Sequence, residues 1–346
     1  MRAAWYEQFQ SPVTIKTLPD PEPSADGVVI RVEASGICRS DWHGWQGNDP
    51  EITLPHVPGH EMAGVIAETG ANVKKWEKDD RITLPFVCGC GTCDQCISGN
   101  HQVCDHQFQP GFTHWGSFAE YVAIEYADVN LVRLPQDMDF VIAATLGCRF
   151  ATSYRAVVYQ GKVSEGQWIA VHGCGGVGLS AIMIAKALGA QTIAIDISDS
   201  ALMMARKLGT DVTLNPEGSK SIPEDVMEAT NGGADVSIDA LGSIETSKTS
   251  ILCLKKRGRH VQVGLMTGKN TNPELPMDVV IARELEITGS HGMQAHIYPE
   301  MLQMISDRQL DPGILIRETV NLDRGIEILQ SMDRNRDGGI AVINKF

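Results

Sequence analysis

Hydrophobic residues follow two different patterns along this chain. Over the first 150 residues they form short runs that predict β-strands at residues 28–32, 64–67, 81–84 and 119–123. Turns rich in proline and glycine separate these runs, as at Pro58-Gly59. The first part of the chain is therefore predicted to be β-rich.

From about residue 166 the apolar runs alternate between strand and helix spacing. A buried strand is predicted at residues 168–171, a helix at 177–188, a strand at 192–196 and a helix at 200–208. The alternation continues through residues 211–214, 223–230, 236–239, 244–254 and 260–263. Such alternation predicts an α/β fold with a doubly wound parallel sheet.

The length of the chain suggests more than one domain. Its 346 residues exceed what one hydrophobic core usually serves. We predict a β-rich domain at residues 1–149 and a nucleotide-binding domain at residues 150–287. The pattern after about residue 289 is mixed α and β, so residues 288–346 are expected to return to the first domain.

Charge and hydropathy restrict the class of partner. The formal net charge of −14 argues against a nucleic-acid partner, because phosphate binding needs clustered lysine and arginine. Residues 168–190 are apolar enough to suggest a membrane span, but glycines and Lys186 divide them into a strand, a turn and a helix. Residues 1–10 carry no apolar signal core. A cytoplasmic protein without a membrane partner is expected.

A glycine-rich segment joins the first strand of the second half to its helix. Its sequence, Gly173-Cys174-Gly175-Gly176-Val177-Gly178, fits the pattern G-x-G-x-x-G. Glycines there allow a tight turn, so that the free N–H groups at the helix start face a pyrophosphate. The simpler alternative is a tight turn without a ligand. Cys174 is also a candidate for oxidation beside the cofactor.

The next predicted strand ends at an acidic residue. Asp196 lies 18 residues beyond Gly178. A carboxylate there accepts hydrogen bonds from ribose hydroxyls and repels a 2′-phosphate, which predicts NAD rather than NADP. In the alternative interpretation Asp196 only caps a helix.

Four of the nine cysteines are close together in the sequence. Cys90, Cys93, Cys96 and Cys104 form C-x2-C-x2-C-x7-C. Four thiolates leave no open position on a tetrahedral ion, so this spacing predicts a structural zinc site. Disulfides are the alternative, and they would need an oxidising compartment. Cys88 is too close to Cys90 to fit the spacing.

Three dispersed segments carry the ligands of a second metal site. They are Cys38-Arg39-Ser40-Asp41-Trp42-His43, Gly59-His60-Glu61-Met62-Ala63-Gly64 and Leu146-Gly147-Cys148-Arg149. One histidine and two cysteines leave a fourth position open for water or substrate, which is typical of a catalytic zinc. The alternative for Cys148 is a buried apolar thiol.

Together these motifs resemble the zinc-dependent alcohol dehydrogenases of the medium-chain family. The resemblance spans most of the chain and includes Gly59-His60-Glu61-x2-Gly64-x5-Gly70. It implies a β-rich GroES-like catalytic domain and a Rossmann domain. It also implies an enzyme that moves a hydride between a primary or secondary alcohol and NAD, with one catalytic and one structural zinc per chain.

The resemblance assigns roles to residues around the predicted catalytic zinc. Asp41 accepts the other ring N–H of the ligand histidine, and Glu61 lies behind the metal and binds it transiently. Ser40 passes the alcohol proton towards His43, which meets solvent, and Arg39 contacts the cofactor pyrophosphate. Each has a simpler alternative: Ser40 caps a turn, Arg39 forms a surface ion pair, and His43 is an ordinary surface histidine.

The resemblance also suggests apolar walls for the substrate and a contact for the nicotinamide. The candidates for the walls are Trp45, Phe86, Phe112, Trp115 and Leu265. Aromatic residues of this kind also serve as ordinary core. The nicotinamide contact is expected at Val263-Gly264-Leu265.

Comparison with the family pattern leaves several questions open. The short segment between Cys104 and Cys148 resembles the microbial tetrameric branch, with a homodimer as the alternative. The stretch Asp337-Gly338-Gly339-Ile340 lacks the basic residue with which many relatives contact the pyrophosphate. Two other functions remain: a zinc polyol or amino-alcohol dehydrogenase, and a non-catalytic protein that binds zinc and a nucleotide.

Overall fold

The computed structural model describes residues 1–334 and 339–346. The stretch at 337–340 where a basic residue is expected therefore lies partly outside the described residues. The first half of the chain contains β1 (Arg2–Trp5), β2 (Thr14–Thr17), β3 (Val28–Ile37), α1 (Arg39–Trp45), β4 (Glu61–Thr69), β5 (Arg81–Thr83), α2 (Asp94–Ile97), β6 (Tyr121–Ile124), α3 (Ala127–Asn130) and β7 (Val132–Arg133).

A helical segment connects this half to the second. It consists of α4 (Phe140–Ala144), a π-helical turn at Leu146–Phe150, α5 (Ala151–Tyr154) and a second π-helical turn at Arg155–Gln160. Single π-helical turns inside helices often occur at functional sites. The first of these turns contains Cys148.

The second half alternates strands and helices. It contains β8 (Trp168–His172), α6 (Gly176–Ala187), β9 (Gln191–Ile195), α7 (Asp199–Lys207), β10 (Val212–Leu214), α8 (Ile222–Thr230), β11 (Ala234–Asp239), α9 (Ile244–Leu252), β12 (Leu254–Gln262), α10 (Met277–Arg283), β13 (Glu286–Gly289), α11 (Tyr298–Ser306), β14 (Ile316–Asn321), α12 (Leu322–Gln330) and β15 (Ile340–Lys345). Short 3-10 helices lie at His101–Val103, Pro216–Gly218, Gly268–Asn270, Ala295–Ile297 and Pro312–Leu315.

Strands β8 to β13 form the predicted doubly wound parallel sheet. Its order is β10-β9-β8-β11-β12-β13, and every neighbouring pair is parallel. The order reverses between β8 and β11, where both strands end in the same direction. Ligands of open α/β sheets bind at such a switch point, outside the carboxyl ends of the strands.

Strands β3 to β7 form a mostly antiparallel sheet together with β14 and β15, in the order β14-β15-β3-β4-β5-β7, with β6 also paired to β3. β1 and β2 pair with each other in a separate two-stranded sheet. β4 follows one edge of β3, whereas β6 and β15 share the other edge. β15 pairs with β3 at residues 341–343, so the tail returns to the first sheet as expected. The boundaries of the two domains, at residues 149 and 287, stay predictions.

One hydrophobic cluster connects the two sheets. It joins Ala34 and Val342 of the first sheet, Phe150 of the helical segment and Val171 of the second sheet, all at 1% exposure or less. Within the part of the chain that is described, no helix has the length and apolar character needed to cross a membrane. The apolar stretch at 168–190 divides into β8 and α6, as predicted.

Candidate active site

The three predicted ligands of the catalytic zinc meet between the two sheets. Cys38 follows β3, His60 directly precedes β4, and Cys148 lies in the first π-helical turn. One donor atom from each, together with a carboxylate oxygen of Glu61, lies within 4.8 Å of all the others. The fold therefore brings together residues that are up to 110 positions apart in the sequence.

Asp41 positions two of these ligands. Its carboxylate accepts hydrogen bonds from the backbone N–H of Cys38 at 2.9 Å, from Gly59 N–H at 3.1 Å and from Nδ1 of His60 at 2.7 Å. Asp41 is 2% exposed, so the carboxylate is held by these donors rather than by solvent. A carboxylate on Nδ1 fixes the tautomer that leaves Nε2 of His60 to bind a metal.

The donor set fits a zinc ion. Nε2 of His60 is buried and has no hydrogen-bond partner among the described residues, although buried ring nitrogens are normally satisfied. A hydrogen bond from Cys148 holds the pKa of Cys38 well below its usual range. That same thiolate, together with burial, raises the pKa of Cys148 well above its range. Two adjacent thiols and an unpaired imidazole nitrogen are the donors that a tetrahedral zinc binds.

A buried ion pair lies directly behind these ligands. Nε of Arg149 donates to Oε1 of Glu61 at 3.0 Å, and Nη2 of Arg149 pairs with Oε2. The backbone N–H of Arg149 also donates to Oε1, at 2.9 Å. Glu61 is fully buried and Arg149 is 7% exposed.

Two of the predicted substrate-wall residues lie beside the ligand histidine. The ring centroids of Phe112 and Phe86 are 4.9 and 6.1 Å from that of His60. Trp45 instead packs in a core cluster with Ile37 and donates from Nε1 to a backbone carbonyl, that of Ser11. Trp115 is 41% exposed and meets the ring of Trp5 edge-on at 5.3 Å. The structure thus brings Phe86 and Phe112, but neither tryptophan, against the ligand set.

The residues assigned to proton transfer lie on α1, directly after Cys38. The Ser40 hydroxyl is 3.8 Å from Sγ of Cys38. Nδ1 of His43 is 3.2 Å from the amide nitrogen of Asn48. Burial, and after it the charge of Arg39, lower the pKa of His43 below its usual value, so the ring is neutral at pH 7. The Arg39 guanidinium stacks over the Trp42 ring at 5.3 Å.

The four-cysteine segment, residues 90–104, forms a second ligand set. The sulfurs of Cys90, Cys93, Cys96 and Cys104 lie within 4.8 Å of one another, and all nine cysteines of the chain are free. Burial raises the pKa of Cys90, but hydrogen bonds from Thr92 and from the N–H of Cys93 outweigh it and lower the pKa to about 6. Thiolates stabilised by N–H donors suit a structural zinc. Cys88 is fully buried and outside this set, as predicted.

The glycine-rich segment has the geometry of a tight turn into α6. Gly173 adopts a φ of +92°, and its N–H donates to the Ile195 carbonyl at 2.8 Å. A Cβ at Gly178 would lie 1.8 Å from the Gly173 carbonyl oxygen, so this position requires glycine. At Gly175, in contrast, the space for a Cβ is open among the described atoms. Val177 follows in the first turn of α6, as the predicted pyrophosphate site requires.

Asp196 lies directly after β9 and faces the same turn. One carboxylate oxygen accepts from Cys174 N–H at 2.7 Å and the other from Ser198 N–H at 2.8 Å. Each oxygen keeps a further lone pair for a ribose hydroxyl. The expectation that Cys174 is open to oxidation is wrong, because its thiol is fully buried and burial raises its pKa.

Two further turns lie beside the glycine-rich segment at the carboxyl ends of β11 and β12. A Cβ at Gly264 would lie 2.2 Å from the Gly242 nitrogen, so the two turns cross in close contact. Asp239 accepts from the N–H groups of Leu241 and Gly242 at 2.9 and 3.0 Å. Val263 is half-buried, and Leu265 is 50% exposed at the end of this turn.

Sequence reasoning missed two residues that support the ligands. The spacing of the metal motifs indicates no role for Arg149, although a charged residue within an apolar run is a signal of buried pairing. Tyr298 is fully buried, and its hydroxyl lies 3.3 Å from the Gly147 carbonyl. No local signal identifies Tyr298, because it is 151 residues away from that contact in the sequence.

A doubly wound sheet with a glycine-rich turn, beside a buried Cys-His-Cys donor set, defines a zinc- and dinucleotide-dependent oxidoreductase. Comparison with known proteins agrees. The family model described as "Alcohol dehydrogenase GroES-like domain" matches residues 24–136, and "Zinc-binding dehydrogenase" matches residues 176–307. An alcohol dehydrogenase of Geobacillus stearothermophilus is 34% identical over 352 residues, which cover 99% of both chains.

Solved structures show the same relationship. Benzyl alcohol dehydrogenase from Acinetobacter calcoaceticus has a TM-score of 0.92 at 25% identity, covering 100% of this chain and 99% of that one. An alcohol dehydrogenase from Thermus sp. ATN1 has a TM-score of 0.91 at 27% identity, covering 100% of both chains. The chain belongs to the zinc-dependent alcohol dehydrogenase family, so the predicted family, α/β fold, enzyme class and zinc cofactor are confirmed.

Proposed function

We propose that this enzyme oxidises apolar primary or secondary alcohols with NAD, giving the aldehyde or ketone, and catalyses the reverse reduction. The observation that carries the proposal is the unpaired Nε2 of His60 between the thiols of Cys38 and Cys148, with the Phe86 and Phe112 rings beside it. These donors would hold a zinc ion, which would lower the pKa of a bound alcohol and, in the reverse direction, polarise a carbonyl.

The side chains of α1 supply the route for the proton. The Ser40 hydroxyl, 3.8 Å from Sγ of Cys38, receives the proton from the alcohol and passes it on towards His43. Because His43 is neutral at pH 7, its ring accepts that proton and releases it to solvent. Asp41 keeps the ligand histidine in place throughout.

The turn at Gly173–Gly178 and the carboxylate of Asp196 support NAD as the cofactor. The open space at Gly175 suits a pyrophosphate at the start of α6. The turn after β12, which contains Val263, Gly264 and Leu265, would border the nicotinamide. Arg39, at the start of α1, would contact the pyrophosphate from the opposite side.

Phe86 and Phe112 favour an apolar or aromatic alcohol over a polyol, because a polyol would leave hydroxyl groups unpaired against two phenyl rings.

The test is a panel of aliphatic, benzylic and polyol substrates with NAD and NADP. Turnover is followed at the absorbance band of the reduced cofactor, and elemental analysis measures the zinc content of the enzyme. We expect the highest kcat/KM for a benzylic or aliphatic alcohol with NAD, and loss of turnover in Cys148→Ala. A higher kcat/KM for a polyol would show that the substrate class is polyols and not apolar alcohols. Absence of NADH from every alcohol despite full zinc loading would overturn the proposal.

We further propose a cytoplasmic homotetramer, with a homodimer as the alternative. Exposed apolar side chains on α10 and on the edge strand β13 support association, with Ile281 at 75% and Ile287 at 40% exposure. Nine free cysteines support a reducing compartment. Light scattering of the purified chain would measure the mass, and a monomer at micromolar concentration would contradict the assembly.

A further inference from the structure

Arg149 carries a buried positive charge whose role the ligand set alone does not explain. It follows the ligand Cys148 directly and is 7% exposed. Its Nη1 donates to the Ile37 carbonyl at 3.0 Å, one residue before the ligand Cys38. The rest of its guanidinium engages both carboxylate oxygens of Glu61. Arg149 is therefore fixed at three points around the ligands.

Glu61 is itself a competing donor. Its carboxylate oxygen lies within the same 4.8 Å sphere as the donor atoms of Cys38, His60 and Cys148. Carboxylates are ordinary zinc ligands, and a tetrahedral ion with three protein ligands has one place left. If Glu61 filled that place, an alcohol would have to displace it. The carboxylate must therefore be restrained for the site to stay open.

The surroundings leave the ion pair little room to rearrange. A Cβ at Gly36 would lie 2.4 Å from Oε2 of Glu61 and 3.0 Å from Nη2 of Arg149. A Cβ at Gly176 would lie 2.5 Å from Cδ of Arg149, so the arginine stem lies against the first residue of α6. The Ser153 hydroxyl also donates to the Arg149 carbonyl at 2.8 Å. Two glycines thus make the space that the pair occupies.

We propose that Arg149 is a positioning residue that holds both oxygens of Glu61 and so keeps the carboxylate off the fourth position of the zinc. This inference rests on the proposed function, because it concerns a metal bound by Cys38, His60 and Cys148. Its consequence is that the open position of the metal depends on an arginine that touches neither metal nor substrate.

The test replaces the catalytic zinc with Co²⁺, whose visible absorption reports the geometry around the metal. Co²⁺ bound at the four-cysteine segment also absorbs. Its spectrum is measured in Cys148→Ala enzyme, which lacks a ligand of the catalytic site, and is subtracted. In Arg149→Met we expect Glu61 to occupy the fourth position in place of water, so that the visible bands of the bound Co²⁺ shift in wavelength and turnover falls about 10- to 100-fold. The double variant Glu61→Gln/Arg149→Met removes the competing carboxylate, and its spectrum should return to that of the wild type.

The control is Arg155→Met, on the same helical segment but in contact with Ser290 at 3.4 Å instead of Glu61. Its spectrum should not change. If Arg149→Met does not fold, the Co²⁺ spectra of Arg149→Lys and of the double variant are compared instead. The double variant is expected to fold because it leaves no unpaired buried charge. Arg149→Lys should then show an intermediate spectrum.

An unchanged spectrum in Arg149→Met or Arg149→Lys overturns the inference, as does a spectral change that persists when Glu61 is also replaced. Failure of the proposed function has a different signature. In that case wild-type enzyme loaded with Co²⁺ would lack thiolate-to-metal absorption attributable to Cys38 and Cys148.

Discussion

At the scale of single residues, the site depends on buried polar groups whose hydrogen bonds are almost fully used. Asp41 accepts from three donors and Glu61 binds Arg149, whereas Nε2 of His60 has no partner among the described residues. A buried polar atom without a partner costs about 1–3 kcal/mol. Because binding to a metal would remove that cost, Nε2 of His60 is the expected ligand atom.

Asp196 should determine the choice of cofactor. In Asp196→Asn the side chain keeps one acceptor for the Cys174 or Ser198 N–H but loses the charge that repels a 2′-phosphate. We expect the ratio of kcat/KM for NAD to that for NADP to fall about 10-fold or more, the value of one charged hydrogen bond. Asp199→Asn, three residues further on, is the control and should leave the ratio unchanged. An unchanged ratio in Asp196→Asn would remove this residue from the ribose site.

His43 should set an acidic limb in the pH profile. Burial and Arg39 hold its pKa below the usual 6.5, opposed in part by Cys38. The ring accepts a proton only while neutral, so its contribution to alcohol oxidation is complete at pH 7 and is lost as the pH falls through the lowered pKa. In His43→Gln we expect kcat at pH 7 to fall by up to about 100-fold and the His43 limb to disappear. A variant that retains the wild-type profile would place His43 outside the proton route.

At the scale of elements, the site consists of the ends of strands and the first turns of helices. Cys38 lies between β3 and α1, His60 directly precedes β4, and Gly175 directly precedes α6. Side chains at such ends project into the space between elements and remain fixed by the sheet behind them. The ligands are therefore positioned by backbone that the core holds rigid.

Two glycines of the turn into α6 are expected to serve different purposes, Gly178 for folding stability and Gly175 for cofactor binding. Gly178→Ala places a Cβ 1.8 Å from a backbone oxygen, so we expect it to cost about 1–3 kcal/mol of folding stability. Gly175→Ala meets no neighbour among the described atoms, so its melting temperature should match the wild type. Its Kd for NAD should rise about 10-fold because the methyl group meets the pyrophosphate. Quenching of tryptophan fluorescence during titration with NAD would measure the Kd, and thermal melts would measure the stability. Equal effects of the two changes would contradict this division.

The four-cysteine segment should contribute stability rather than chemistry. Cys96→Ala removes one of four ligands, so we expect one zinc per chain to be lost and the melting temperature to fall by several degrees. Cys88→Ala also removes a buried thiol from the same region, but it should retain both metals. Elemental analysis distinguishes the two. Full zinc content in Cys96→Ala would show that these thiols do not hold a metal.

The sequence predicts the four-cysteine and glycine-rich motifs well because each depends on local spacing, whereas only the fold brings the dispersed Cys38, His60 and Cys148 together. It underestimates β3, predicted at residues 28–32, because Glu33, Ser35 and Gly36 break the apolar run although the strand continues to Ile37. It also misses the start of β12, where Lys255 and Arg257 look like a loop but pair with acidic neighbours. Neither Arg149 nor Tyr298 could be assigned, since their partners are distant in sequence.

At the scale of the whole molecule, residues late in the sequence support catalytic ligands that lie early in it. β15 pairs with β3 at Ile37, next to Cys38, and Tyr298 lies against the turn that contains Cys148. The three ligands themselves all lie within the first 150 residues. Long-range support of this kind makes the site a property of the complete fold.

A fragment of residues 1–150 should reveal this dependence. It contains Cys38, His60, Cys148 and the four-cysteine segment, yet lacks β15 and Tyr298. We expect it to bind zinc tightly at residues 90–104 and only weakly at the other set, so that dialysis leaves about one zinc per chain instead of two. The full chain treated identically is the control. Two tightly held ions in the fragment would show that local structure alone forms the catalytic set.

The pairing of β15 with β3 also has a consequence for biosynthesis. A ribosome makes the partner of Ile37 only after roughly 300 further residues have been joined, whereas the four-cysteine segment is finished early. The two ions would then enter the protein at different times, the structural one before the catalytic one. A cell short of zinc would accumulate molecules that are folded yet inactive.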